Sequence, residues 1–306
     1  MQEKVAFLFP GQGSQYVGMG KDLYEDFPEC KKLFDEAEEI LKIPLKKYCF
    51  QGPEDILKTT AICQPAVFTV SIACLYAFNS KFDIQPSFTL GLSLGEYSAL
   101  VASNVLKFKD ALKLVKHRAE LMQRQADKSL GKMCAIIGLD REKIKEICDS
   151  CGEVYIANLN SCQQIVISGK KEKVDLAKDM CLKQGAKRAI DLEVSAAFHS
   201  PFMEAVAEEF KEFLKNIEFS SVSVPLISNI DALPKTKPQD IKEALVKQLY
   251  SPVLWEDSIK YLINQGINKF YEFGPGKVLK GLMRSIAPEA TVINIEKSKD
   301  IMELGS

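Results

Sequence analysis

The sequence predicts an α/β protein in which a large unit with a parallel sheet core is interrupted by a small ferredoxin-like one. Short apolar runs alternate with helical stretches, as expected of strands joined by crossover helices. Between residues 129 and 195 the order becomes β-α-β-β-α-β, that of a ferredoxin-like unit. Beyond it the larger pattern resumes. The expected partition is residues 1–128 with 196–306 as the large domain and 129–195 as an inserted small domain.

Taken in order, "KVAFLF" (4–9) reads as a buried strand stopped by Pro10 and Gly11. After the loop "PGQGSQYVGMG", residues 21–42 read as a helix, with Leu23, Phe27, Phe34, Ala37 and Leu41 near helical spacing. "CQPAVFTVSIACLYAF" is too long for a strand and reads as a buried helix. "PSFTLG" (86–91) is a strand and "EYSALVASNVL" a helix. In the small unit, "KMCAIIGL" is a strand and "REKIKEICDS" a helix. "EVYIANLNSCQQIVISG" then gives two strands joined by a polar turn at Asn158–Gln163. "KEKVDLAKDMCLKQG" is a helix ending at Gly185, and "AKRAIDLEV" is the closing strand. "VPLISN", "INKFYEFG" and "TVINI" are later strands of the large unit.

Composition excludes several classes. The 306 residues are 46% hydrophobic and 26% charged, with a formal net charge of -1, so neither nucleic acid nor an anionic membrane is expected as partner. Val5–Phe9 is too short for a signal-peptide core, and Ala66–Phe78 too short to span a bilayer. A cytoplasmic protein is expected, or the mature form of an organelle protein whose transit peptide has been removed. A monomer is also expected. The nine cysteines suit free buried thiols. Cys148 and Cys151 lack a second ligand pair, so no metal site is read from them. The first loop breaks the spacing of a dinucleotide fingerprint, and no Ser or Thr follows Lys277 in "FGPGKVLKGL", so neither is a nucleotide-binding loop.

The chemistry points to "GLSLG" (91–95). Here Ser93 sits between two glycines in the G-x-S-x-G spacing of a nucleophile elbow, and strand, turn and helix follow in the order that motif needs. A serine hydroxyl needs a base, and the chain offers two histidines, His117 and His199. His117 falls on the polar face of a helix with Asp110, Lys113, Glu120 and Arg124, so a solvated surface histidine is expected. His199 lies at the junction after the small unit, where Ser200-Pro201 looks like a serine-capped helix start. It could be a packing or capping histidine; the elbow favours catalysis. An oxyanion hole would take the N–H of Leu94 and one from another loop, for which Gln12 is placed. Arg118 lies on the apolar face of its helix. It needs either an internal acid or the carboxylate of a ligand, and the helical wheel leaves both open.

These pieces together resemble the malonyl-CoA:acyl carrier protein transacylase family, related to polyketide synthase acyltransferase domains. The resemblance spans nearly the whole chain, through "FLFPGQGSQYVGMG", "QPAVFTVSIA", "GLSLGEYSAL", "RAELMQ", "ANLNSCQQIVISG", "AAFHSPFM", "LVKQLYSPVLW" and "FYEFGPGKVL". It implies a hydrolase-like α/β domain with the ferredoxin-like insertion. It further implies Ser93 as acyl-accepting nucleophile, His199 as general base, and Arg118 as the arginine that binds the malonyl carboxylate. Gln12 and Leu94 would supply the oxyanion-hole N–H groups, and the main-chain carbonyl of Gln248 would orient the histidine. The implied reaction is ping-pong transfer from malonyl-CoA, through a malonyl-Ser93 ester, to the phosphopantetheine thiol of acyl carrier protein in fatty-acid synthesis. No cofactor is implied, since both thiols are substrate groups. The chain departs from the family at Leu92, where histidine is usual, and at Ala196 in "AAFH". Phe198 implies malonyl over methylmalonyl. A serine esterase or thioesterase using Ser93 and His199 is the rival reading.

Overall fold

The computed structural model describes residues 4–128, 131–194 and 196–305. The chain opens with Val5–Phe9 (β1), every residue of which is buried. Helices Lys21–Asp26 (α1), Pro28–Leu41 (α2), Leu45–Gln51 (α3), Glu54–Lys58 (α4) and Thr60–Asn79 (α5) follow. The single helix expected over 21–42 is thus two. Pro28 cannot donate a backbone hydrogen bond and holds Phe27 extended, so the chain turns there. Helix α5 is apolar and long enough to cross a membrane by length and composition, yet 83% of its most apolar stretch is buried inside the protein. It is the central helix of the core.

Phe88–Gly91 (β2) runs into Gly95–Ala102 (α6), and Phe108–Lys128 (α7) lies across α5. The small unit then comprises Gly131–Ile137 (β3), Arg141–Cys151 (α8), Val154–Ser161 (β4), Gln164–Lys170 (β5), Lys171–Lys183 (α9) and Arg188–Asp191 (β6). After one 3₁₀ turn at Pro201–Met203 come Glu204–Lys215 (α10), Leu226–Ile227 (β7), Pro234–Lys235 (β8) and Pro238–Gln248 (α11). Trp255–Asn264 (α12), Lys269–Phe273 (β9), Val278–Ile286 (α13), Thr291–Ile295 (β10) and Ser298–Leu304 (α14) complete the fold.

Two sheets result. The larger has the order β10-β9-β1-β2-β7-β8, parallel throughout except for the edge strand β8. Covered by helices, its central strand β1 reads as an unbroken apolar run. The smaller sheet is antiparallel with order β4-β5-β3-β6, the ferredoxin-like arrangement, and has its own core around Ile136, Ile144, Ile167 and Val174. The fold class expected from the sequence is therefore the one found. The expected junctions of the insertion fall on residues 129–130 and 195, outside the described residues.

Asn158–Gln163 was expected to be a turn, but β4 continues through Ser161 and only Cys162 and Gln163 turn. Register shifts in the β4–β5 ladder, together with hydrogen bonds from Leu159 N to Val253 O and from Val253 N to Ala157 O, satisfy the backbone of this polar stretch. The same bonds tie the small sheet to the segment that follows Gln248.

Candidate active site

In open parallel sheets, ligands bind beyond the carboxyl ends of the strands. Here the loops after three neighbouring strands, β1, β2 and β7, carry Gln12, Ser93 and Asn229. Gln12 and Ser93 line a cavity of about 280 Å³ whose opposite wall comes from the small sheet, including Met133, Asn158, Asn160 and Val166, while Asn229 is buried beneath them.

Ser93 has φ 53°, a left-handed conformation that costs a non-glycine residue energy and turns its side chain out of the chain's path. The flanking glycines make the turn possible. A Cβ on Gly91 would lie 1.9 Å from the Gly95 carbonyl carbon, and one on Gly95 would lie 2.0 Å from Phe9 O. Asn229 clamps the elbow from β7's loop: Oδ1 accepts from the Ser93 N–H at 2.7 Å, and Nδ2 donates to Gly91 O at 2.7 Å.

His199, only 4% exposed, is brought to Ser93 with Oγ and Nε2 2.8 Å apart. Its Nδ1 lies 2.8 Å from the main-chain oxygen of Gln248. A carbonyl can only accept, so Nδ1 carries the proton and Nε2 is left to accept from the serine hydroxyl. Burial and, second, the Arg118 charge lower the histidine's pKa to about 4. The ring is therefore neutral at pH 7. Ser200 does not cap the following helix as its sequence suggested; its hydroxyl donates back to Ala197 O, tightening the His199 turn.

Arg118 is 1% exposed. Nη1 donates to Gln64 Oε1 at 2.8 Å, and Nη2 donates to Gln248 Oε1 at 3.0 Å and Ser93 Oγ at 3.1 Å. The Tyr97 ring lies 5.3 Å from the guanidinium carbon. Among the described residues no carboxylate is within ion-pair distance, so every acceptor is neutral. Gln64 and Asn229 were not singled out from the sequence; as a polar residue inside an apolar run, Gln64 was the one with a visible signal.

The backbone N–H groups of Gln12 and Leu94 have no acceptor among the described residues. Leu94 opens α6. The Ser93 N–H is already engaged by Asn229 and is not free in this way. His117 does not line this cavity and is half-buried rather than fully solvated: its ring stacks on Phe213 of α10, centroids 4.1 Å apart. One helical wheel cannot show a neighbouring helix. Cys148 and Cys151 are buried free thiols, and burial pushes Cys148 up to about 12.

A serine elbow, a neutral buried imidazole on its hydroxyl and a parallel sheet beneath define a hydrolase-like α/β protein built for acyl chemistry. The chain belongs to the acyl transferase domain family, whose model matches residues 6–290, and it is an acyltransferase. It is 48% identical to the malonyl CoA-acyl carrier protein transacylase of Bacillus subtilis (strain 168), covering 97% of this chain and 95% of that protein. It is 39% identical to the protein of the same name from Staphylococcus aureus (strain MRSA252), covering 97% of each. Among solved structures, an acyl carrier protein S-malonyltransferase from Vibrio cholerae superposes with a TM-score of 0.95 at 40% identity, covering 99% of this chain and 100% of that one. A type II polyketide synthase acyl carrier protein complex with its malonyl-transacylase matches with a TM-score of 0.95 at 38% identity, covering 98% of each chain.

Proposed function

We propose that the protein transfers the malonyl group of malonyl-CoA to the phosphopantetheine thiol of acyl carrier protein, for fatty-acid synthesis, through an ester on Ser93. His199 Nε2 takes the Ser93 proton as Oγ attacks the thioester carbonyl. The tetrahedral oxyanion is held by the N–H groups of Gln12 and Leu94. On collapse the C–S bond breaks, and His199 returns its proton to the leaving CoA thiolate. In the second half, His199 deprotonates the carrier thiol, the thiolate attacks the ester, and Ser93 Oγ leaves with the proton. The Gln248 carbonyl keeps the imidazole in the required tautomer throughout.

The observation that carries this reading is Arg118. A permanently charged group, buried against neutral oxygens and touching the reacting hydroxyl, lacks the anion that burial of a charge calls for. The malonyl carboxylate sits one methylene beyond the reacting carbonyl, within reach of a guanidinium that touches Ser93 Oγ. A simple esterase would have no use for that charge.

Radiolabelled malonyl-CoA tests it. The label is expected on wild-type protein, absent from Ser93→Ala, and moved to the carrier when holo-acyl carrier protein is added. Rapid release of free malonate without transfer would make the protein a hydrolase. Label on Ser93→Ala or on a cysteine would remove Ser93 from its role.

A further inference from the structure

Glu96 is a buried carboxyl that the proposed reaction does not use. It lies in the first turn of α6, three residues after Ser93, and is 1% exposed. Burying a carboxyl costs free energy, and a helix position that only filled space would be apolar. Its partner is the side-chain amide of Gln248: Nε2 donates to Glu96 Oε2 and, at 3.0 Å, to Ser93 O. The far end of the same amide, Oε1, accepts from Arg118 Nη2 at 3.0 Å.

An amide can be turned end for end, and only its surroundings decide which way it points. Reversed, the Gln248 NH₂ would face the guanidinium, donor against donor, and its oxygen would face Glu96 Oε2 and Ser93 O. Two acceptors behind the amide therefore hold its oxygen toward Arg118. We propose that Glu96 is a positioning residue: through Gln248 it fixes the guanidinium of Arg118 in the place where a substrate carboxylate is gripped. This rests on the reading of Arg118 given above.

Glu96 needs to be an acceptor here, not an anion. Burial, the largest influence, pushes its pKa up to about 8, while the Gln248 amide, the Asn229 backbone and the Arg118 charge pull the other way. Glu96 Oε1 has no hydrogen-bond partner and can carry the proton while Oε2 accepts. Glutamine, whose amide oxygen also accepts, should therefore serve at this position, whereas leucine should not.

The test compares acylation of Ser93 by malonyl-CoA and acetyl-CoA, with melting temperatures, in wild type, Glu96→Gln, Glu96→Leu, Glu96→Ala and Arg118→Ala. Glu96→Leu should lose roughly tenfold of the preference for malonyl over acetyl, the scale of one hydrogen bond to a charged group. The loss should be mostly in KM for malonyl-CoA. Glu96→Gln should restore the preference, and Glu96→Ala stands in if the leucine variant does not fold. An equal slowing of both thioesters with a lowered melting temperature, unrelieved in Glu96→Gln, makes Glu96 merely structural and overturns the proposal. A preference lost in Arg118→Ala but kept in both Glu96→Leu and Glu96→Ala overturns the relay alone. A preference that survives Arg118→Ala removes the carboxylate reading and this inference with it.

Discussion

The imidazole of His199 hangs from the main-chain oxygen of Gln248, 2.8 Å from Nδ1, on the side opposite Ser93. In a serine triad that place belongs to a carboxylate, whose charge stabilises the imidazolium. A carbonyl fixes the tautomer as well but supplies no countercharge. With burial and the Arg118 cation acting on the ring, the protonated form is disfavoured and the pKa falls to about 4.

The pH dependence of acylation follows. Only neutral His199 can accept the Ser93 proton. Its pKa is lowered, so the active form persists below the usual histidine range near 6.5. Acylation by malonyl-CoA in rapid-quench experiments should hold nearly level from neutral pH to about one unit above the lowered value, and be lost as pH falls through about 4. In Arg118→Ala, measured with acetyl-CoA, the repulsive charge is gone and the acidic limb should move upward. A wild-type limb near 6.5 would contradict the assignment.

The two histidines should separate cleanly. His199→Ala is expected to slow acylation by about 10²–10⁴-fold, the range for a lost general base. His117 packs on Phe213, so His117→Ala should leave the rate within a few-fold and lower stability by about 0.5–1.5 kcal/mol, the scale of an aromatic stack. Acylation rates beside urea melts of both variants decide this; equal rate losses would show that His117 reaches the site.

What the sequence made legible was local. The β2–Ser93–α6 elbow is carried by two glycines and a serine within five residues, and each glycine is demanded by a close approach visible once the strand and helix are drawn. The ferredoxin-like order was legible because its elements follow one another in the chain. The partners of the elbow were not. Asn229 is 136 residues from Ser93, and its role depends on β7 lying beside β2, which alternation of strands and helices does not specify. Gln64 and Glu96 are neighbours of the site through Arg118 and Gln248, four residues from four helices meeting at one point. Where two helices pack, as at His117, or a proline divides one, as at Pro28, a single-helix wheel has no means of showing it.

Gly95→Ala should be far worse than a helix position suggests. Alanine is ordinarily the better helix former by about 1 kcal/mol. Here the added Cβ would lie 2.0 Å from Phe9 O and 2.9 Å from Pro10 O, both backbone atoms that cannot swing aside. Strand β1 and α6 must separate, which moves Ser93 from His199 and Leu94 from Gln12. Loss of acylation together with a fall in melting temperature is expected. A variant with wild-type activity would mean that the elbow tolerates a spacing the structure does not have.

Asn229→Asp tests the elbow clamp with almost no change of shape. One carboxylate oxygen can still accept from the Ser93 N–H. The other replaces the amide that donates to Gly91 O at 2.7 Å, so two oxygens now meet without a proton between them. The site is fully buried, and an unpaired buried carbonyl costs about 1–3 kcal/mol. The new acid has one way out: it can take up a proton and donate it to Gly91 O, restoring the bond. The variant should therefore be destabilised by about that amount at neutral pH and recover part of the loss as the pH is lowered and the acid protonates. Acylation should fall with it, because the Ser93 turn is the segment being released. Asn229→Leu, which cannot recover a donor, should show the same loss without the recovery at low pH. Melting temperatures of the two variants across pH, with acylation rates alongside, decide the matter; equal pH profiles for both would mean that the Gly91 bond does not hold the turn.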